Sequence, residues 1–219
     1  EADATGRAAL TRAAGRALAA VHADRFDAHG RVVGGGANGL DVDRGPWTDV
    51  LRDRVGTLRG LATSERFDDH FDAVADAVAA NRDLLDDAPA ALVHGDPAAP
   101  NGFLADDGAD TGGRVGLLDW ELVHVGDPAR ELVRARRQLL GGADGAADER
   151  LVAALHDGYR ERAGSLPDGF ERRRPVYEAV TFLGVSGYVD RLAEFRDEPL
   201  DEFAAWVDAE MDRRLARVA

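Results

Sequence analysis

The sequence predicts a mainly helical chain that carries one small β-hairpin. Three observations predict it. Apolar residues recur at helical spacing along most of the chain. The exceptions are short apolar runs at 90–93, 102–104 and 115–118, the last two separated by a stretch of Asp and Gly that suits a hairpin tip. Polar residues cluster at the ends of these runs, as His94-Gly95-Asp96-Pro97-Ala98-Ala99-Pro100-Asn101 and Leu117-Leu118-Asp119-Trp120-Glu121.

Taken in order, residues 4–22 are Ala-rich, and Leu10, Ala14, Ala17, Leu18 and Val21 recur at helical spacing, so an amphipathic helix is expected. A loop is expected over 24–45, with Gly34-Gly35-Gly36-Ala37-Asn38-Gly39 inside it. That stretch lacks the Lys-Ser/Thr ending of a phosphate-binding loop and no helix starts behind it, so it reads as an ordinary loop. Pro46 suits the first turn of a helix whose stripe is Trp47, Val50, Leu51, Val55 and Leu58. Ser64 is the expected N-cap of a helix over 65–85 that buries Phe67, Phe71, Val74, Ala77 and Val78. Residues 90–93 form a short strand leading into His94, and 102–104 and 115–118 form the hairpin strands around a tip at 105–114.

From Asp127 the pattern is helical to the end, over 128–140, 148–162, 174–194 and 200–218, with breaks at Gly141-Gly142 and 164–169. Asp127 before Pro128 reads as a helix N-cap. Arg172-Arg173-Arg174 reads as a solvated helix start, Asp68-Asp69-His70 as a solvated acidic turn, and Gly184-Val185-Ser186-Gly187 as a helical packing patch of small residues. His22, His29, His70, His124 and His156 are scattered and read as ordinary.

A length of 219 residues suits one domain or a large lobe with a real core. The hydrophobic share of 45% excludes a disordered tail. No apolar run approaches the ~20 residues of a membrane span, and no signal peptide is visible at Glu1-Ala2-Asp3. The absence of cysteine excludes disulfides, thiolate zinc sites and Cys nucleophiles. A cytoplasmic location is expected. The first residue is not Met, so a cut or processed chain is expected.

Net charge is −14, from 41 acidic against 27 basic residues, and every basic residue is Arg. Such a surface repels DNA and RNA, which need a basic footprint. Dense carboxylate with no Lys resembles proteins of salt-loving organisms, a halophilic solubility adaptation. An acidic cleft for a cationic substrate is the alternative reading.

The polar clusters carry a specific chemistry. Asp96 lies where a short strand breaks into a loop, and a carboxylate there can accept a hydrogen bond from an attacking hydroxyl and orient it. If the two hairpin strands pair, Asn101 at the start and Asp119 at the end lie close together. Both offer hard oxygen ligands for Mg²⁺, which takes one or two carboxylates plus phosphate oxygens and waters. Orientation of an acceptor and Mg²⁺ on phosphates are two requirements of phosphoryl transfer.

His94-Gly95-Asp96 with Asn101, then Asp119-Trp120-Glu121, then Gly126-Asp127-Pro128, resembles the aminoglycoside phosphotransferase and choline kinase-like family, which has the protein-kinase-like fold. The helix ending at Ala20-Val21-His22 is similar to the one that opens that family's C-terminal lobe. The resemblance runs over roughly residues 4–140. It implies that the mainly α chain with its β-hairpin is the C-terminal catalytic lobe of a protein-kinase-like α+β fold, with the β-rich N-terminal lobe absent. Residues 94–120 would then hold the catalytic loop and metal-binding hairpin, and 127–219 a helical subdomain.

The resemblance further implies Asp96 as the catalytic residue and Asn101 and Asp119 as the metal ligands. His94 would support the loop, and Glu121 and Asp127 would be supporting residues. It implies Mg²⁺ as cofactor, ATP or GTP as phosphoryl donor, and a small hydroxyl or amine substrate as acceptor. Two departures are visible. Ala98 stands where the family commonly has a second His, and Glu131-Leu132 stands where it usually has Asp-Leu, the longer Glu being able to brace the loop. A kinase of this type also needs a phosphate-covering loop and a strand Lys. This chain has no Lys, so roughly 80 to 110 further residues are expected upstream. The alternatives are a non-catalytic kinase-like binding module, and a metal-dependent phosphohydrolase built on His94, Asp96, Asn101, Asp119 and His124.

Overall fold

The computed structural model describes residues 4–105, 114–141 and 147–218. In chain order the elements are α1 (Ala4–Val21), β1 (Gly30–Gly36), β2 (Gly39–Arg44), α2 (Trp47–Gly60), α3 (Asp68–Ala80), α4 (Arg82–Asp86) and β3 (Ala91–Val93). They continue as β4 (Gly102–Ala105), β5 (Arg114–Leu117), β6 (His124–Gly126), α5 (Pro128–Leu140), α6 (Glu149–Ala163), α7 (Phe170–Ser186), α8 (Val189–Ala193) and α9 (Leu200–Leu215). The expected hairpin tip falls mostly on residues outside the described set, as does Gly142. No helix among the described residues is long and apolar enough to cross a membrane.

The chain divides into two compact units, one of residues 1–45 with 88–170 and the other of 46–87 with 171–219. The helices after Asp127 are thus shared between units: α5 and α6 belong to the first, while α8, α9 and nearly all of α7 belong to the second.

The first unit holds both sheets. One is antiparallel, in the order β2-β1-β6-β3, and the other is the antiparallel hairpin β4-β5. Residues 24–45 are therefore not simply a loop. Gly36 pairs with Gly39 across a two-residue turn, Gly39 takes φ 119°, and β1 and β2 form a hairpin. Most of its side chains are exposed, so no apolar alternation marks it. β6 was equally hidden, being three residues long, and its middle residue Val125 is fully buried opposite Leu92.

Beneath the sheets α1 lies directly on α6. A Cβ on Gly15 would stand 2.1 Å from the Leu155 carbonyl oxygen, and one on Gly158 would stand 1.9 Å from that of Arg12. The two glycines let the helix backbones touch. Leu18, Leu132, Leu155 and Tyr159 fill the core around this contact.

The second unit packs Trp47, Leu51, Phe71 and Val74 with Tyr177, Phe182, Phe203 and Met211. The Trp47 indole N–H donates to Tyr177 Oη at 2.9 Å. Several expectations change here. The helix over 65–85 is two, α3 and α4, broken at Asn81, and Ser64 accepts from Arg66 N in a turn instead of capping it. The helix over 174–194 begins at Phe170 and ends at Ser186, before the separate α8. Arg173 and His70 are buried, so neither belongs to a solvated turn. His70 bonds Ser186 Oγ at 2.9 Å and Asp208 Oδ1 at 3.1 Å. Ser186 is only 1% exposed, so this Ser-His-Asp trio is a packing network closed to substrate.

Candidate active site

The first unit also assembles the polar clusters. Sheet pairing sets Val93 opposite His124 and Gly102 opposite Leu117, and Leu118 N donates to Asn101 O at 2.8 Å. The loop 94–101 therefore leaves β3 and enters β4 beside the end of β5. Asn101 and Asp119 flank one end of the hairpin, as their spacing requires.

His94-Gly95 is held from below. Gly95 has φ 87°, and a Cβ there would stand 2.2 Å from Leu122 O, so only glycine lets the loop cross the 120–122 turn. Glu131 Oε1 accepts from Gly95 N at 2.5 Å, and Oε2 accepts from His94 N at 3.0 Å. Oε2 also meets His22 Nε2 at 2.7 Å, and His22 Nδ1 meets Tyr159 Oη at 3.0 Å. With backbone N–H groups on both oxygens, Glu131 is a carboxylate and His22 Nε2 carries the donated proton. Burial alone would push the Glu131 carboxyl up; the hydrogen bond from His22, with those from the Gly95 and His94 amides, outweighs it and holds it below its ordinary range. Burial pushes the Tyr159 phenol up. The longer Glu thus braces the loop.

His94 is fully buried, with both ring nitrogens committed. Nε2 donates to Leu118 O at 2.7 Å, Nδ1 accepts from Asp96 N at 3.2 Å, and the ring meets Trp120 edge-on at 4.6 Å. It supports the loop and has no free atom for a proton or a metal. His124 is committed too, Nδ1 donating to Leu122 O at 2.8 Å and Nε2 facing Arg130 at 3.5 Å. Among the described residues no group of three or more His, Cys, Asp or Glu is placed to hold a metal ion.

Asp96 is half-buried. Its Oδ2 accepts from Asn101 Nδ2 at 3.0 Å, and Oδ1 accepts from Arg134 Nη2 at 2.8 Å and Gln138 Nε2 at 2.5 Å. Desolvation raises its pKa, but the bonds from Arg134 and Gln138, the Arg134 charge and Asn101 prevail, so the carboxyl lies below its ordinary range. Asn101 Nδ2 also donates to Asp96 O at 3.0 Å. That fixes the amide orientation and leaves Oδ1 without a partner among the described residues. Asp119 is exposed and, among the described residues, carries no side-chain hydrogen bond; it takes φ 63°, the one positive φ outside glycine there. Asp tolerates this left-handed conformation better than most residues.

Glu121 is exposed. Asp127 is buried and accepts from Ala129 N at 2.9 Å, capping α5 as expected. Sequence reasoning missed His22, Tyr159, Arg134 and Gln138 as neighbours of the loop. The one available signal was the i, i+4 spacing of Arg134 and Gln138 on α5.

An ethanolamine kinase of Plasmodium vivax superposes with a TM-score of 0.55 at 10% identity, over 95% of this chain and 59% of that one. A choline/ethanolamine kinase family protein of Mesorhizobium loti superposes with a TM-score of 0.51 at 20% identity, over 98% and 67%. The chain therefore shares the protein-kinase-like fold. The profile of the phosphotransferase enzyme family matches residues 1–176, and the chain belongs to that family. No curated protein matches its sequence. The chain spans 59% of the length of the Plasmodium kinase.

Proposed function

We propose that this chain supplies the acceptor-orienting and metal-binding half of a small-molecule phosphotransferase, moving the γ-phosphate of ATP or GTP to a hydroxyl or amine. One observation carries the reading: a carboxylate, Asp96, on a loop braced by a buried Glu131, with Asn101 and Asp119 at the adjoining hairpin end. Asp96 accepts a hydrogen bond from the incoming hydroxyl and aligns its oxygen on the γ-phosphorus. The new O–P bond forms as the bond to the bridging oxygen breaks. The nucleoside diphosphate leaves, and the hydroxyl proton passes by way of Asp96 to solvent.

Asn101 Oδ1 and the Asp119 carboxylate suit a hard cation, since both are oxygens with no partner among the described residues. They would hold Mg²⁺, which when bound neutralises phosphate charge. Glu121 would face that metal's surroundings or the substrate. The phosphate-covering loop and its lysine would come from a β-rich lobe outside residues 1–219, leaving this stretch inactive alone; the complete lack of Lys supports this.

The test is a nucleotide-consumption screen of the complete protein, in high salt with Mg²⁺, against small alcohols and amines. Asp96→Asn is expected to lower turnover ~10²–10⁴-fold with nucleotide binding retained. Undiminished turnover refutes the assignment of Asp96, and a complete wild-type protein that turns over no acceptor favours a non-catalytic binding module.

A further inference from the structure

α5 grips the loop twice. Glu131 holds its backbone at His94 and Gly95, and Arg134 and Gln138, three and seven residues on, hold the Asp96 side chain. Spacings of three and seven residues fall on one helical face. The helix is itself anchored, capped by Asp127 and buried through Ala129, Leu132 and Ala135. We propose that Arg134 and Gln138 are positioning residues, a clamp that fixes the Asp96 carboxylate and leaves one place on it, at Oδ2, for the acceptor hydroxyl.

The count of lone pairs gives this result. Each carboxylate oxygen accepts about two hydrogen bonds. Arg134 and Gln138 fill Oδ1, and Asn101 takes one position on Oδ2, leaving a single site. The clamp also keeps Arg134 Nε and Gln138 Oε1 buried without a partner. The clamp rests on the reading of Asp96 as the acceptor-orienting group.

Two measurements on the complete protein test it. The first is Mg-ATP turnover, with water or any acceptor from the screen, for Arg134→Met, Arg134→Lys and Gln138→Leu, alone and on Asp96→Asn. Misplacing an oriented group by an ångström costs about 10²-fold. Arg134→Met is therefore expected to lower kcat about 10–10²-fold with the KM for ATP unchanged, to cost nothing further on Asp96→Asn, and to be partly rescued by Lys. Equal losses in both backgrounds would mean a merely structural role and overturn the clamp. The second is a crystal structure of the Arg134→Met, Gln138→Leu double variant, which needs no turnover. Asp96 is expected to leave its single orientation; an unchanged carboxylate overturns the proposal. If Asp96→Asn leaves turnover intact, the phosphotransferase reading fails, and the crystal structure still decides the clamp.

Discussion

Replacing Glu131 with Gln keeps the shape of the side chain and removes its charge, which isolates what the buried carboxylate does. The carboxylate accepts from three N–H groups, those of Gly95, His94 and His22. A Gln has one carbonyl oxygen. With that oxygen kept on Gly95 N, the new amide nitrogen faces both His94 N–H and His22 Nε2. His22 can adapt by moving its proton to Nδ1 and donating to Tyr159 Oη. The His94 amide cannot adapt. One hydrogen bond to a charged acceptor is lost and a buried donor is left unpaired, together about 3–5 kcal/mol.

At roughly 2–4 °C per kcal/mol for a chain of this size, the melting temperature of Glu131→Gln should fall by about 6–20 °C. Hydrogen exchange should show the amides of His94 and Gly95 losing protection first. The loss should also depend on pH in a defined direction. The folded-state pKa of Glu131 lies below its unfolded value. Its stabilisation is therefore complete above the ordinary carboxylate range, near 4.3, and vanishes as pH falls through the lower folded value. The gap between wild type and Glu131→Gln should narrow in that acid window. A loss under about 1 kcal/mol at neutral pH, or unchanged protection at Gly95, would refute the bracing.

Two further outcomes follow from packing and charge. Gly158→Ala should cost about 1–3 kcal/mol in denaturant unfolding, because its Cβ meets the Arg12 backbone, whereas Gly56→Ala, on an α2 position open to solvent, should stabilise by up to about 1 kcal/mol; similar effects at both sites would deny the α1–α6 backbone contact. Raising NaCl from 0.1 M to 1 M shortens the Debye length from ~10 to ~3 Å and should raise the melting temperature of this −14 chain by relieving self-repulsion; a flat or falling value would remove the halophilic reading.

α1 was found as a helix, but of its apolar stripe only Leu18 is buried, and its buried face runs through Thr11, Gly15 and Leu18. The apolar spacing of Trp47 to Val55 was enough to find α2, because a helix writes its buried face into its own local sequence. Asp127 was recognised as a cap for the same reason, its bond reaching only to Ala129. The hairpin β4-β5 was legible from its apolar runs, and with it the closeness of Asn101 and Asp119. β1 and β2 were not, since their hydrogen bonds join Gly-rich, exposed strands that carry no apolar alternation.

What the sequence by itself determined is the set of reactive groups and their local frames: Asp96 and Asn101 five residues apart on a loop, Asp119 after a strand, and the helices around them. Only the tertiary structure decided how those groups are held. His22 meets Glu131 across 109 residues of chain, and Arg134 reaches Asp96 across 38. Neither partnership leaves a periodic or short-range mark, because a buried carboxylate takes whichever donor the packed helices bring to it. The loop's residue types were therefore readable in one dimension, while its bracing through Glu131 and the filling of both Asp96 Oδ1 positions by Arg134 and Gln138 were set by where α1, α5 and α6 pack.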